Sequence, residues 1–304
     1  MINSVNEWST LKQVVVGSAT HANWPTNDPV FAQESRKTTW HTSPVPSGPV
    51  AQRIIDEANE DLDCLATTLT TLGVEVLRPQ TFDFQQAGGM YNYCPRDRLL
   101  IYGDIVIDCA MMYPGRDMEI QQLDCVIEQA GRVIHMPRDQ GLVLDAANVL
   151  RLGDSMLFLE SASGNRKAYE WLCLQFPEVS IELCNFYSGV HIDSTIVPLR
   201  EGLVLLNGSR VTWDNCPRVF QNWHKIYVHD VIAQDFYQYP YASKWIAMNM
   251  LVVDPHTVIV DRHQTDLIKS LENWHFTVIP LELKHSRTLG GGFHCVTLDT
   301  RRQT

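Results

Sequence analysis

The chain has 304 residues, 45% of them hydrophobic and 9% aromatic, with a formal net charge of −11. That composition supports a real core and, with no basic excess, excludes nucleic acid or an anionic membrane surface as the main partner. No run approaches the ~18 apolar residues of a membrane span, the opening "MINSVNEWSTLKQVVVG" lacks a signal-peptide pattern, and the eight cysteines form no CxxC pair, so a reduced, cytoplasmic protein is expected.

In chain order, "LKQVVVGS" reads as a single strand. "VAQRIIDEANEDLDCLATTLTTLG" places Val50, Ile54, Leu62, Leu65, Leu69 and Leu72 near helical spacing, ends at Gly73, and runs into the strand "VEVLRP". An apolar hairpin follows in "RLLIYGDIVIDC". "DMEIQQLDCVIEQAG" then reads as a helix leading to "RVIHMP", and "NVLRLGDSMLFLES" as a second hairpin. "SGNRKAYEWLCLQF", with Ser163 as its N-cap, leads to "VSIELCNF". "EGLVLLNGSRVT" is a third hairpin, and "FQNWHKIYVHD" the end of a helix entering a strand. "NMLVVDPHTVIVD" is the fourth hairpin, and "LENWHFTVIPL" repeats the helix-to-strand step, with Asn222 and Asn273 in equivalent places.

"HCVTLDTR" remains as a single strand. Paired with "LKQVVVGS" it would complete a fifth hairpin and close a ring. The expected fold is therefore α/β: a five-bladed, pseudo-symmetric, closed α/β propeller of ββαβ modules, about 60 residues each, forming one domain over 1–304. An open doubly wound sheet is disfavoured, because its crossovers would not alternate with hairpins.

The residues just before the first hairpin strand of each module should point to the ring's centre. They are Asp97, Asp145, His191 with Asp193, Ser243, and His294 with Cys295. Such a set suits attack by a thiolate on a cationic planar carbon. Carboxylates grip a guanidinium through paired hydrogen bonds, and the bound cation in turn favours the thiolate. A histidine, its tautomer fixed by a second carboxylate, can protonate one amine and deprotonate the next. The bare "GGG" before His294 lets the backbone pass close to such a site. His294 itself reads as structural. His224 and His229 have metal-like spacing but lack a third ligand, so no metal is expected.

"LGGGFHCVTLDTRR", "SKWIAMNML", "HIDSTI", "LDAANVLR", "CPRD" and "NEWSTLKQVVVG" resemble, in order and over nearly the whole chain, the glycine amidinotransferase family of the pentein superfamily. The resemblance implies the five-fold architecture and transfer of the amidino group of L-arginine to a small amine, glycine or another, with release of ornithine. It implies Cys295 as nucleophile, His191 as general acid and base, and Asp145 as its partner. Asp97 and Asp193 would hold the guanidinium, Arg210 would meet the donor's carboxylate, and Ser243 would be a nearby polar contact. It implies no metal or organic cofactor, and leaves a homodimer open.

Four departures concern the acceptor. Asn148 stands where the family commonly has Asp, and Val190 where the glycine-using enzymes have Met. "MMYPGRDMEI" lacks the family's Arg- and aromatic-rich pattern and is placed at the rim, and the chain is short for the family. The rival readings are a hydrolase of the same fold that makes citrulline and a binding protein that has lost catalysis.

Overall fold

A computed structural model describes residues 1–37, 45–187, 189, 191–237 and 239–303. The long amphipathic segment is a helix, Gln52–Thr71, that buries Ile54, Ile55, Ala58, Leu62, Leu65 and Leu69. Its C-terminal turn passes through Gly73 at φ +81°, a conformation that costs other residues a Cβ clash. The strand Glu75–Leu77 then lies parallel to Leu11–Val16.

Leu11–Val16 also pairs antiparallel with the last strand, Thr297–Arg302, so the two ends of the chain share one three-stranded sheet. Four further sheets repeat this pattern. In each, an antiparallel hairpin is followed by a third strand parallel to the hairpin's second strand. They comprise Leu99–Tyr102, Ile105–Asp108 and Arg132–His135; Val149–Arg151, Ser155–Leu159 and Ser180–Cys184; Ile196–Arg200, Leu203–Asn207 and His224–Val228; and Leu251–Asp254, Thr257–Asp261 and Thr277–Leu281. The central strands are nearly all apolar because both faces are covered.

The expected pairing of "LKQVVVGS" with "HCVTLDTR" forms, and the modules do not share one closed sheet. Among the described residues the five sheets remain separate, and no strand ladder joins one to the next. Outside the ladders, backbone hydrogen bonds still link neighbouring modules, from the Leu144 amide to the Ala110 carbonyl at 2.8 Å and from the Ile192 amide to the Ala147 carbonyl at 3.1 Å. The N-terminal segment crosses three of them through single bridges, Asn3 to Arg301, Ser4 to Gly103 and Asn6 to Leu152. A buried ionic cluster adds to this. Arg151 donates to Glu7, to Asp299 at 2.8 Å and to the Ile101 carbonyl at 3.2 Å, and Arg302 donates to the Val252 carbonyl at 3.0 Å. The first strands of four modules thus meet on one set of charges.

Several local expectations are corrected. The third hairpin starts earlier than "EGLVLLNGSRVT", at Ile196, and turns at Glu201–Gly202. "DMEIQQLDCVIEQAG" is not one helix but a 3-10 helix, Pro114–Gln122, followed by a short turn of helix, Asp124–Ile127. Before His224–Val228 there is only a 3-10 turn, Arg218–Phe220. The helix Arg166–Gln175 is capped by Asn165, whose side chain accepts from the Ala168 amide at 2.9 Å, and not by Ser163. Ser163 instead accepts from buried Asn148 at 2.8 Å, which gives that asparagine a structural task.

Candidate active site

The site begins with the bare loop. Helix Ser286–Leu289 ends on Gly290 at φ +83°. A Cβ on Gly291 would lie 2.5 Å from Cys94 Sγ, and one on Gly292 would lie 2.6 Å from Asn249 Cβ. The loop therefore presses against Asn249, whose Oδ1 accepts from the backbone amides of His294 at 2.9 Å and Cys295 at 3.0 Å. Glycine here allows one side-chain amide to set the backbone that carries the thiol. Cys295 is 1% exposed, and its Sγ lies 3.3 Å from Asp193 Oδ2. Burial pushes this thiol well above its ordinary value, and Asp193 and Asp97 push it further.

His191 faces the thiol from the segment before Ile196–Arg200. It has φ +36°, an unusual conformation for a residue with a Cβ, and the Tyr187 hydroxyl donates to its carbonyl. Its Nε2 lies 3.1 Å from Asp145 Oδ2 and its Nδ1 3.6 Å from Asp97 Oδ1. Burial alone would lower the His191 pKa, but Asp97 and the hydrogen bond to Asp145 overcome it and raise the value to about 9. The ring is an imidazolium at neutral pH.

Asp97, His191 and Cys295 each bring a polar atom to within 4.8 Å of the others. Of the trio, the carboxylate is already committed on one side. Asp97 Oδ2 accepts from Arg116 at 2.8 Å, and Arg116 is held in turn by Glu119 at 2.8 and 2.9 Å. Asp97 Oδ1 is buried with no hydrogen-bond partner among the described residues and faces His191. An orphaned carboxylate oxygen is costly unless a ligand supplies the missing donor. Burial also lifts the Asp97 carboxyl above its usual range, against the pull of His191 and Arg116.

Of the residues expected from the sequence, Asp97, Asp145, His191, Asp193 and Cys295 come together. Arg210 stands beside them, donating to Thr195 Oγ1 at 2.8 Å with its guanidinium 4.2 Å over the Tyr187 ring. Ser243 does not join the group through hydrogen bonds. Its Oγ accepts from the Trp245 amide and caps Lys244–Met248. Val190 lies outside the described residues.

The "MMYPGRDMEI" segment is not an open rim. Its Met112 amide donates to Asp145 Oδ1 at 2.9 Å, and buried Arg116 grips Asp97. Sequence reasoning missed Arg116, Glu119, Asn249 and Glu7. Arg116 and Glu119, opposite charges spaced three apart, carried the one usable signal.

A buried thiol, an imidazolium and converging carboxylates thus lie together on five hairpin-plus-strand modules. No family model matches the chain. It is 39% identical to inosamine-phosphate amidinotransferase 1 of Streptomyces griseus, over 99% of this chain and 97% of that one. It is 27% identical to the L-arginine:L-lysine amidinotransferase of Pseudomonas savastanoi pv. phaseolicola (99% and 94% covered) and 26% identical to the mitochondrial glycine amidinotransferase of Xenopus tropicalis (99% and 82%).

The solved structure of the S. griseus inosamine-phosphate amidinotransferase superposes with a TM-score of 0.93 at 38% identity, covering 100% of this chain and 97% of that one. A dimethylarginine dimethylaminohydrolase from Pseudomonas aeruginosa shares the fold, with a TM-score of 0.67 at 14% identity over 95% and 99% of the two chains. The chain belongs to the amidinotransferase family, and it is a transferase of amidino groups. Among the described residues no helix is long and apolar enough to cross a membrane.

Proposed function

We propose that this enzyme takes its amidino group from L-arginine, carries it as a covalent amidino-cysteine on Cys295, and hands it to an amine with release of ornithine. The observation that carries the reading is the unpartnered Asp97 Oδ1, buried beside His191 and Cys295. A guanidinium placed between Asp97 and Asp193 gives that oxygen its donor and sets a cationic carbon before the sulfur. The same cation stabilises the thiolate, so the nucleophile is activated by its own substrate. As the guanidinium enters, the thiol proton leaves for solvent and sulfur bonds to the guanidinium carbon. His191, as imidazolium oriented by Asp145, gives its proton to the departing ornithine nitrogen. The imidazole left behind takes a proton from the incoming ammonium group, and the free amine bonds to the amidine carbon; as the C–S bond breaks, the nitrogen's second proton goes to the departing sulfur and restores the Cys295 thiol. Arg210 would meet the arginine carboxylate, and Ser243 would line the approach. The scheme calls for no metal or organic cofactor, since Cys295 supplies the nucleophile and the substrate its own charge.

The acceptor we propose is the amino group of an inosamine phosphate or a similar amino-bearing ring, in preference to glycine. Support comes from identity, 39% against 26%, over nearly the full length of this chain in both cases. We further propose that residues 1–304 form one domain with the five modules arranged as propeller blades, supported by the ionic cluster that joins four first strands.

Incubation with arginine and a panel of amines, read by mass spectrometry, tests the reaction. Ornithine plus a guanidinylated aminocyclitol phosphate is expected. Guanidinylated glycine or lysine would reassign the acceptor, and citrulline without a guanidinylated amine would make the enzyme a hydrolase. Arginine alone should leave one amidine on Cys295. A Cys295→Ala enzyme that still released ornithine would overturn the mechanism.

A further inference from the structure

The buried ionic cluster reaches the active site at one point. Glu7, on the N-terminal segment, has both carboxylate oxygens on Arg151, at 2.8 Å each, and accepts the Arg151 amide at 3.1 Å. Its Oε2 also lies 3.2 Å from His294 Nε2, while His294 Nδ1 lies 2.8 Å from Asp193 Oδ2. That same Asp193 oxygen faces Cys295 Sγ. An imidazole with a carboxylate on each nitrogen can satisfy both only by donating twice, which requires the imidazolium.

We infer that Glu7 is a positioning residue: clamped by Arg151, it holds His294 as a doubly donating imidazolium, and His294 fixes Asp193 before Cys295. The inference rests on the amidinotransferase reading of the site. In that role Asp193 must stay ionised, keep one oxygen on the thiol and present the other to the guanidinium, and a neutral His294 free to rotate would not hold it so. The charged groups facing His294 are few. They are Glu7, Asp193 and Arg96, whose Nε donates to the His294 carbonyl at 3.4 Å, with Arg151, Asp299 and Arg302 behind Glu7 and Cys295 next in sequence. Burial and Arg96 push His294 down, yet the bonds to Asp193 and Glu7 raise it above its ordinary value. Burial would raise Asp193, and His294 holds it below the usual range.

The test uses the full-length enzyme and its Glu7→Gln and Glu7→Asp variants. Nitrogen NMR of histidine-labelled wild type without substrate should show His294 protonated on both nitrogens at pH 7. Because that arm needs no donor or acceptor, an error in the assigned reaction would leave it unchanged. In Glu7→Gln the His294 signal should move to a neutral tautomer, and kcat/KM for arginine should fall about 10- to 100-fold, the scale on which outer partners of a site act. The alkaline limb of the pH profile should move to lower pH as His294 loses its proton earlier. Glu7→Asp, which keeps the charge, should recover part of both. A neutral His294 in the wild type overturns the inference even if Glu7→Gln fails to fold. So does a Glu7→Gln enzyme with unchanged kcat/KM, or one that loses activity while His294 stays doubly protonated.

Discussion

His191 shows how much a single residue's surroundings decide. The same imidazole in water would be mostly neutral at pH 7.5, but between Asp97 and Asp145 its value stands at about 9. In its proposed role as the acid that releases ornithine it must be protonated in the free enzyme, so kcat/KM for arginine should hold through neutral pH and fall above about pH 9. Asp145→Asn removes one supporting charge, and the limb should move at least one unit toward neutral, with kcat down about 100-fold or more. The stability sign follows from the same shift. A folded value above the unfolded ~6.5 stabilises the protein fully below pH 6.5, and that contribution is lost as pH rises through 9. Thermal melts of wild type and Asp145→Asn between pH 6 and 10 check it.

Much of this residue-level picture was legible. Asp97, Asp145, His191, Asp193 and Cys295 all precede a first hairpin strand, and that position can be counted along a sequence. Arg116 and Glu7 could not be found this way. Their partners Asp97 and His294 lie 19 and 287 residues away in sequence, and nothing local to "PGRDMEI" or "VNEW" says which way a charged side chain turns.

At the level of elements, the glycine loop carries a prediction of its own. Gly292→Ala would bring a methyl to 2.7 Å from Asn249 Oδ1, the atom that holds the amides of His294 and Cys295. Overpacking of this kind costs about 1–3 kcal/mol, so the protein should still fold with a lower melting temperature. The displaced thiol should make the larger effect, a loss of about 10-fold or more in the rate of Cys295 amidination, measured in a single turnover with arginine alone. Full activity in that variant would remove Asn249 from the account of the site.

The elements also show where periodicity misleads. Helix Gln52–Thr71 was readable because its apolar stripe faces the core over five turns. "DMEIQQLDCVIEQAG" carries a similar spacing, yet Arg116 and Glu119 turn inward as an ion pair toward Asp97, and the backbone tightens to 3-10 to bring them there. A polar residue that is buried for a site looks, in sequence, like a polar residue on a surface.

For the whole molecule, the separate sheets place unusual weight on the ionic cluster. Replacing Arg151 by Met would leave Glu7 and Asp299 buried without their principal cation, a loss of about 3–5 kcal/mol by comparison with other broken buried pairs. The melting temperature should drop by at least several degrees, and a drop indistinguishable from zero would show that the modules hold together without it. Burial would raise the Asp299 carboxyl, but Arg151, Arg96 and Arg302 hold it well below the ordinary range. A depressed folded value contributes stability above the unfolded ~3.9 and loses it as pH falls toward the folded value. The protein should therefore begin to weaken below about pH 4.

The pairing of Leu11–Val16 with Thr297–Arg302 has a consequence in time. The strand that follows Cys295 finds its partner far back in the sequence, Val16 pairing with Thr297 and Leu11 with Arg302. Such long-range pairing is slow, because chain entropy must be lost before any contact repays it. Until it forms, the thiol has neither Asn249 setting its backbone nor Asp193 beside it. In refolding from denaturant, amidination of Cys295, the proposed nucleophile, should therefore begin only after these two strands have paired.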